Sequence, residues 1–191
     1  KPFHVALLGY ERVASHSFVH SVYTMLGQVV FEEIGEIVAA PNFDFVKRKF
    51  ILKGSLSENA ILTISNLLEE MRNRKRKANV SVEDKLMRTA ARIGALRPYE
   101  KTVDLYLRQG DVAYCFELKT VKPNIDVFKE TKEKLLNWKA AHYSNDDTMI
   151  HTFCALPYNP QAPQPYNRWT LQGLFDVETE FRAGALIPPS S

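Results

Sequence analysis

Thr102-Val103-Asp104-Leu105-Tyr106-Leu107-Arg108-Gln109-Gly110-Asp111-Val112-Ala113-Tyr114-Cys115-Phe116-Glu117-Leu118-Lys119 consists of two alternating runs around a turn. In the first run Val103, Leu105 and Leu107 stand between Asp104, Tyr106 and Arg108. In the second, Val112, Tyr114, Phe116 and Leu118 alternate with Ala113, Cys115, Glu117 and Lys119. A period of two marks a half-buried strand, and Gln109-Gly110 supplies a two-residue turn, so the stretch predicts a β-hairpin. With that loop, Arg108 pairs with Asp111, Val103 faces Phe116, Leu105 faces Tyr114 and Leu107 faces Val112. The apolar residues then share one side of the sheet. Asp104, opposite Cys115, lies on the other side with Glu117 and Lys119. Asp104 and Glu117 become diagonal neighbours, with Cα atoms ~7–8 Å apart.

Working outward, Pro123-Asn124 ends the second strand and a helix follows from about Asp126 to Tyr143, with Phe128, Leu135, Leu136, Trp138 and Ala140 as its buried residues. Met149 to Leu156 reads as a further strand. A strand, a crossover helix and a strand predict a parallel pair. Upstream, residues 15–40 have helical periodicity, and Phe43 to Leu52 partly alternates. Ser57 caps a helix over 58–77, and Ser81 with Asp84 resembles a capping box opening a helix over about 82–96. The chain reads as one domain over 1–191, with the 58–96 helices as an insertion or subdomain and a Pro-rich arm over 157–191.

The hairpin carries the chemistry. Phosphodiester hydrolysis calls for a hard divalent cation, and Mg²⁺ is held by one or two carboxylates plus phosphate and water. Asp104 and Glu117 supply the carboxylates, and the Leu118 carbonyl can add a ligand. Lys119, on the same face, can position the attacking water and stabilise developing charge. The structural alternative is a cross-strand salt-bridge set on a solvated face. The His16/His20 pair has no third ligand, and Cys115 and Cys154 fit small buried hydrophobes better than a nucleophile.

Composition limits the choices. The chain has 191 residues, 45% hydrophobic, with a formal net charge of +3. Residues 47–101 carry 14 Lys+Arg against 6 Asp+Glu, a net of +8, while the rest carries 11 against 16. A basic segment beside an acidic remainder suggests a polyanion partner and a separate carboxylate site. The run Arg72, Arg74, Lys75, Arg76 suits phosphate binding, and equally a helix C-terminus. Lys122 and Asn124 can touch a DNA backbone; alternatively Lys122 is a solvated charge and Asn124 a helix cap. Arg168 is a candidate base reader. Lys129, Lys132 and Lys139 line either the DNA-facing or the solvent side of their helix. No apolar run approaches the ~20 residues of a membrane span. With no secretory-signal pattern and two distant cysteines, a reduced cytoplasmic protein is expected.

Asp104…Glu117-Leu118-Lys119 resembles the PD-(D/E)XK nuclease motif, with Val103 where the motif carries proline. Phe116-Glu117-Leu118-Lys119-Thr120-Val121-Lys122-Pro123-Asn124, with the Lys-rich helix to Trp138-Lys139-Ala140, resembles type II restriction endonucleases of the TdeIII family. Ser17-Phe18, Met25-Leu26-Gly27-Gln28, Tyr158-Asn159-Pro160 and Pro165-Tyr166 are similar too. The resemblance implies an α/β fold, a restriction-endonuclease-like mixed sheet flanked by helices. It also implies Mg²⁺-dependent cleavage of double-stranded DNA by a homodimer, at GGNCC-type sites, and a helix glutamate, Glu33 before Glu36, joining the metal. Other readings of the same features are a non-catalytic DNA-binding module carried by the basic segment, and a PD-(D/E)XK nuclease of repair or mobile-element type.

Overall fold

A computed structural model describes residues 9–119, 123–168, 171 and 173–184. Their elements are α1 (Tyr10–Ala39), β1 (Phe45–Ser57), α2 (Glu58–Arg72), α3 (Val80–Ala90), β2 (Leu96–Gln109), β3 (Val112–Leu118), α4 (Ile125–Asn145), β4 (Met149–Leu156) and β5 (Phe181–Ala183). The strands form a mixed sheet in the order β1-β2-β3-β4-β5, with β1/β2 and β2/β3 antiparallel and β3/β4 and β4/β5 parallel. The parallel pair expected from strand–helix–strand is β3/β4, crossed over by α4.

Each face of the sheet buries its own core. On one side Leu105, Leu107, Phe116, Leu118, Phe153 and Ala155 pack under α1 through Ala39 and Phe31. On the other, Leu52, Val103, Cys115, Ile150 and Cys154 pack under α4 (Phe128, Leu135, Leu136, Trp138), with α2 and α3 against it. The α/β class with helices on both faces is therefore the observed architecture.

Local chemistry sets the ends of these elements. The Ser57 hydroxyl accepts the Ala60 N–H at 2.9 Å, the cap expected for α2. That helix stops at Arg72, short of the expected 77. Arg74 turns left-handed (φ 56°), and the Arg74 and Lys75 amides bond back to Met71 and Glu70. The basic run is thus mostly a post-helical turn. α3 is capped by Asn79, not Ser81. The Asn79 side chain accepts from Val82 N while Glu83 accepts from Asn79 N, a reciprocal arrangement that places the helix start two residues earlier. β2 begins at Leu96, well before Thr102. Its first half borders only β1, so Pro98 sits where a strand tolerates a residue without N–H. Within the arm, Phe181–Ala183 adds a short strand that alternation could not reveal. It is docked by Phe181 against Phe128, Tyr166 and Phe175.

The hairpin forms with a different register. Gly110 has φ 55°, donates its N–H to the Asp44 carboxylate at 2.7 Å, and opens the loop instead of closing it. Gly110-Asp111 is therefore the turn, Gln109 pairs with Val112, and Leu105 pairs with Phe116, a shift of two residues from the expected pairing. A shift of two preserves the faces. Val103 is the exception, because it joins the α4-side core while Leu105 and Leu107 join the α1-side core. Alternation breaks at Asp104 and at Lys49, the β1 residue that lies across from it. The ladder runs to Arg48↔Leu105 and resumes at Phe50↔Val103, and Lys49 between them has φ 50°.

α4 lies close over β1. The Ser144 hydroxyl accepts the Ser55 N–H at 2.9 Å, and a Cβ on Gly54 would overlap the Ala141 carbonyl. Gly54→Ala is expected to lower stability by about 1–3 kcal/mol, as overpacking does. A urea midpoint equal to the parent would show that the helix can lift away freely. Lys49→Gly relieves a left-handed conformation that costs a side-chain-bearing residue roughly 1–2 kcal/mol. Its urea midpoint should rise by the equivalent of about 1 kcal/mol once glycine's extra chain entropy is counted. A lower midpoint would contradict strain at this position.

Candidate active site

Three residues of the predicted hairpin meet at the end of β3. Beyond Leu105↔Phe116 the β2/β3 ladder gives way, and the Asp104 side chain takes over. Its Oδ2 accepts the Leu118 N–H at 2.8 Å. This bond holds the carboxylate against β3, and extending the register brings Asp104 across from Glu117. Lys119 follows on the strand's last step, where its own N–H bonds to Ala155 O at 2.9 Å.

Glu117 is 4% exposed. A buried carboxylate is costly unless paired and hydrogen-bonded. Here both oxygens are engaged: Lys119 Nζ lies 2.6 Å from Oε1 and Lys134 Nζ 2.5 Å from Oε2. Lys134 projects from α4 and its ammonium sits 5.1 Å from the centre of the Trp138 ring. Burial first, and the Glu117 charge second, push the Asp104 carboxyl up to about 6, against the Leu118 N–H and the lysines. Burial works to lower Lys119, but the charge and hydrogen bond of Glu117 outweigh it and hold the ammonium above its usual range. The site therefore contains two carboxylates pressed together and two ammonium groups that balance them.

Among the described residues no group of three or more His, Cys, Asp or Glu forms a closed metal cage. The Asp104–Glu117 pair nevertheless fits a hard divalent cation, which takes oxygen ligands from one or two carboxylates and leaves the rest to water and phosphate. The mutual repulsion that raises Asp104 is what such a cation would relieve. Cys115 and Cys154 are free, fully buried thiols, pushed upward by burial, as expected of small core residues.

The remaining candidates lie elsewhere. Glu33 and Glu36 are on α1, which covers the opposite face of the sheet, and both meet Arg48, at 3.9 Å and 2.6 Å. Asn124 caps α4 by accepting the Val127 N–H at 2.8 Å. Lys122 lies outside the described residues, as do the side chains of His16 and His20. Arg72, Arg74 and Lys75 are exposed, and Arg76 is paired with Glu70 at 2.6 Å. Arg72 lines a groove of about 720 Å³ between α2 and α4, together with Asn73, Lys129 and Asn137. Arg168 hydrogen-bonds Tyr166, which stacks on Phe181.

Two lysines of α4 that could have faced DNA or solvent do neither. Lys132 is fully buried between Glu83 (2.6 Å) and Glu180 (2.5 Å), and Lys139 is buried beside Asp84. Lys134, the lysine that does reach the site, was not singled out in the sequence. The available signal was its spacing of four residues from Trp138, at the edge of the helix's buried stripe.

Residues 1–185 match the family described as "Type II restriction endonuclease, HinfI". The type II restriction enzyme MjaII of Methanocaldococcus jannaschii is 29% identical over 156 residues, covering 78% of this chain and 41% of that protein. The chain thus spans about two fifths of the relative's length. No solved structure matches the chain at a significant level. On the match over residues 1–185, the chain belongs to the HinfI family of type II restriction endonucleases.

Proposed function

We propose that this chain hydrolyses phosphodiester bonds of double-stranded DNA at a specific sequence, with Mg²⁺ as cofactor, from a PD-(D/E)XK-type centre formed by Asp104, Glu117 and Lys119. The observation that carries the reading is the convergence, at the end of a central strand, of a carboxylate held by the Leu118 amide, a buried glutamate and its lysine. Family membership supports the reaction class.

Asp104 and Glu117 would hold the cation, with the Leu118 carbonyl as a further candidate ligand; Glu33, expected from the sequence to join them, lies on the opposite face of the sheet beside Arg48 and does not reach the pair. When bound, the cation lowers the pKa of a water and neutralises charge on the phosphate. Asp104, fixed by its bond to Leu118 N, keeps a constant position against Glu117. Glu117 keeps Lys119 charged and aimed. Lys119, half-buried at the strand's end, orients the attacking water toward the scissile phosphorus and stabilises the developing negative charge.

Arg72, Arg74 and Lys75, with Arg76, Lys122, Asn124 and Arg168, are the proposed DNA contacts. Arg72, at the groove between α2 and α4, is supported by its exposure there. Cutting both strands of a palindrome needs two such centres, which a homodimer supplies. The 58–96 helices, between β1 and β2, are the proposed DNA-embracing insertion of a single nuclease domain that ends in the 157–191 arm. The resemblance to TdeIII enzymes supports a GGNCC-type target.

Glu117→Ala and Lys119→Ala should each reduce cleavage by a factor on the order of 10³ or more while DNA retention in a gel-shift assay changes little. Full cleavage by either variant would remove the assignment. Duplexes containing GGNCC should be cut and scrambled duplexes spared; equal cutting of both would contradict the proposed target.

A further inference from the structure

Both oxygens of Glu117 are already engaged by ammonium groups. Lys119 occupies one and Lys134 the other, at 2.6 and 2.5 Å. The local charges, two carboxylates and two ammonium groups, already sum to zero. A divalent cation that binds Glu117 competes with these ammonium groups, because an ammonium and a metal drawn to the same carboxylate oxygen repel one another. The two lysines are not equivalent in this respect. Lys119 belongs to the segment leaving β3, and its backbone is tied to Ala155 O. Lys134 reaches the site from α4 along a flexible stem, with 28% of its side chain exposed and its ammonium over the face of Trp138. It can leave the carboxylate and still keep the indole as a partner.

We propose that Lys134 is a built-in placeholder cation: it pairs with Glu117 in the metal-free protein and is displaced by the divalent ion, so that metal binding and the Lys134–Glu117 pair exclude one another. This inference rests on the reading of Asp104 and Glu117 as metal ligands. Lys134 is a positioning residue, acting through Glu117. Before metal arrives it holds the buried Glu117 side chain in place, next to an Asp104 whose charge the same ammonium also favours. Its withdrawal leaves Glu117 one oxygen for the metal and one for Lys119. The ammonium it releases remains beside the site.

Competition of this kind is a coupling free energy between two cations for one site, and its sign is fixed. Isothermal titration of the DNA-free protein with Ca²⁺ measures it without catalysis. Lys134→Met, which keeps the stem over Trp138, should bind Ca²⁺ on the order of tenfold or more tightly than the parent. Lys134→Arg, which restores the charge, should return to the parent's affinity. Asp104→Asn should lose binding whatever stands at 134. If Asp104→Asn binds Ca²⁺ as the parent does, the carboxylate pair is not the metal site, and both the reading and the inference fall. If Asp104→Asn loses binding but Lys134→Met binds no more tightly than the parent, the metal site stands and the placeholder role alone is overturned. Urea unfolding of each variant separates these results from loss of fold: a Lys134→Met protein that unfolds without the parent's cooperativity is replaced by Lys134→Gln, read the same way.

Discussion

The Leu118 N–H donates to Asp104 Oδ2 at the point where β2 and β3 stop exchanging backbone bonds. A side chain takes the place of a peptide carbonyl in the ladder, and this lets two adjacent strands part without leaving a buried amide unsatisfied. The consequences spread from there. β2 changes the side it presents, so that Val103 enters one core and Leu105 the other, and β1 follows with a left-handed Lys49 across from Asp104. Glu117 is on β3, the central strand of the five, and Asp104 on its neighbour β2, so both carboxylates are carried by interior strands of the sheet.

A buried glutamate beside a second carboxylate has to be neutralised, and the fold supplies one ammonium from the strand and one from the helix. The helix must therefore be held in register with the sheet. Gly54 allows α4 to approach β1, and Lys132 pins α4 to Glu83 of α3 and to Glu180 just before β5. That trio holds one cation and two carboxylates in a fully buried setting. Burial, ahead of the opposing Lys132 charge, pushes Glu180 upward toward the protonated form, which brings the trio toward neutrality. The last described segment of the chain is thus coupled through α4 to the lysine that touches Glu117.

Much of this was legible in the sequence because strand alternation and the strand–helix–strand order survive modest errors. The hairpin shifted by two residues, yet Glu117 and Lys119 kept their face, since the period of a strand is two, and the Leu118 amide holds Asp104 beside them. What could not be read depends on tertiary partners. Asp44 fixes the turn at Gly110-Asp111 from outside the hairpin. Val103 departs from its alternating neighbours only because the sheet parts at Asp104. The start of α3 and the end of α2 turn on individual hydrogen bonds: Val82 N–H to the Asn79 side chain and Asn79 N–H to Glu83, and the Arg74 and Lys75 amides to Met71 and Glu70. Charged residues on α4 misled most: Lys132 and Lys139 look solvated by type, but each is buried with a carboxylate from α3, and Lys134 reaches a glutamate 17 positions away. β5 is too short to carry a pattern, and aromatic packing defines it.

Whether this constellation of Asp104, Glu117 and Lys119 cuts DNA decides its role. The direct measurement is incubation of phage DNA with the purified protein, in Mg²⁺ and in EDTA, followed by electrophoresis. Discrete fragments that appear with Mg²⁺ and vanish with EDTA are the predicted result, and they require both a metal-dependent centre and sequence selection. Intact DNA in every buffer, from a folded protein that still retards DNA, would contradict the account and leave Asp104, Glu117 and Lys119 as a buried salt-bridge cluster in a DNA-binding protein.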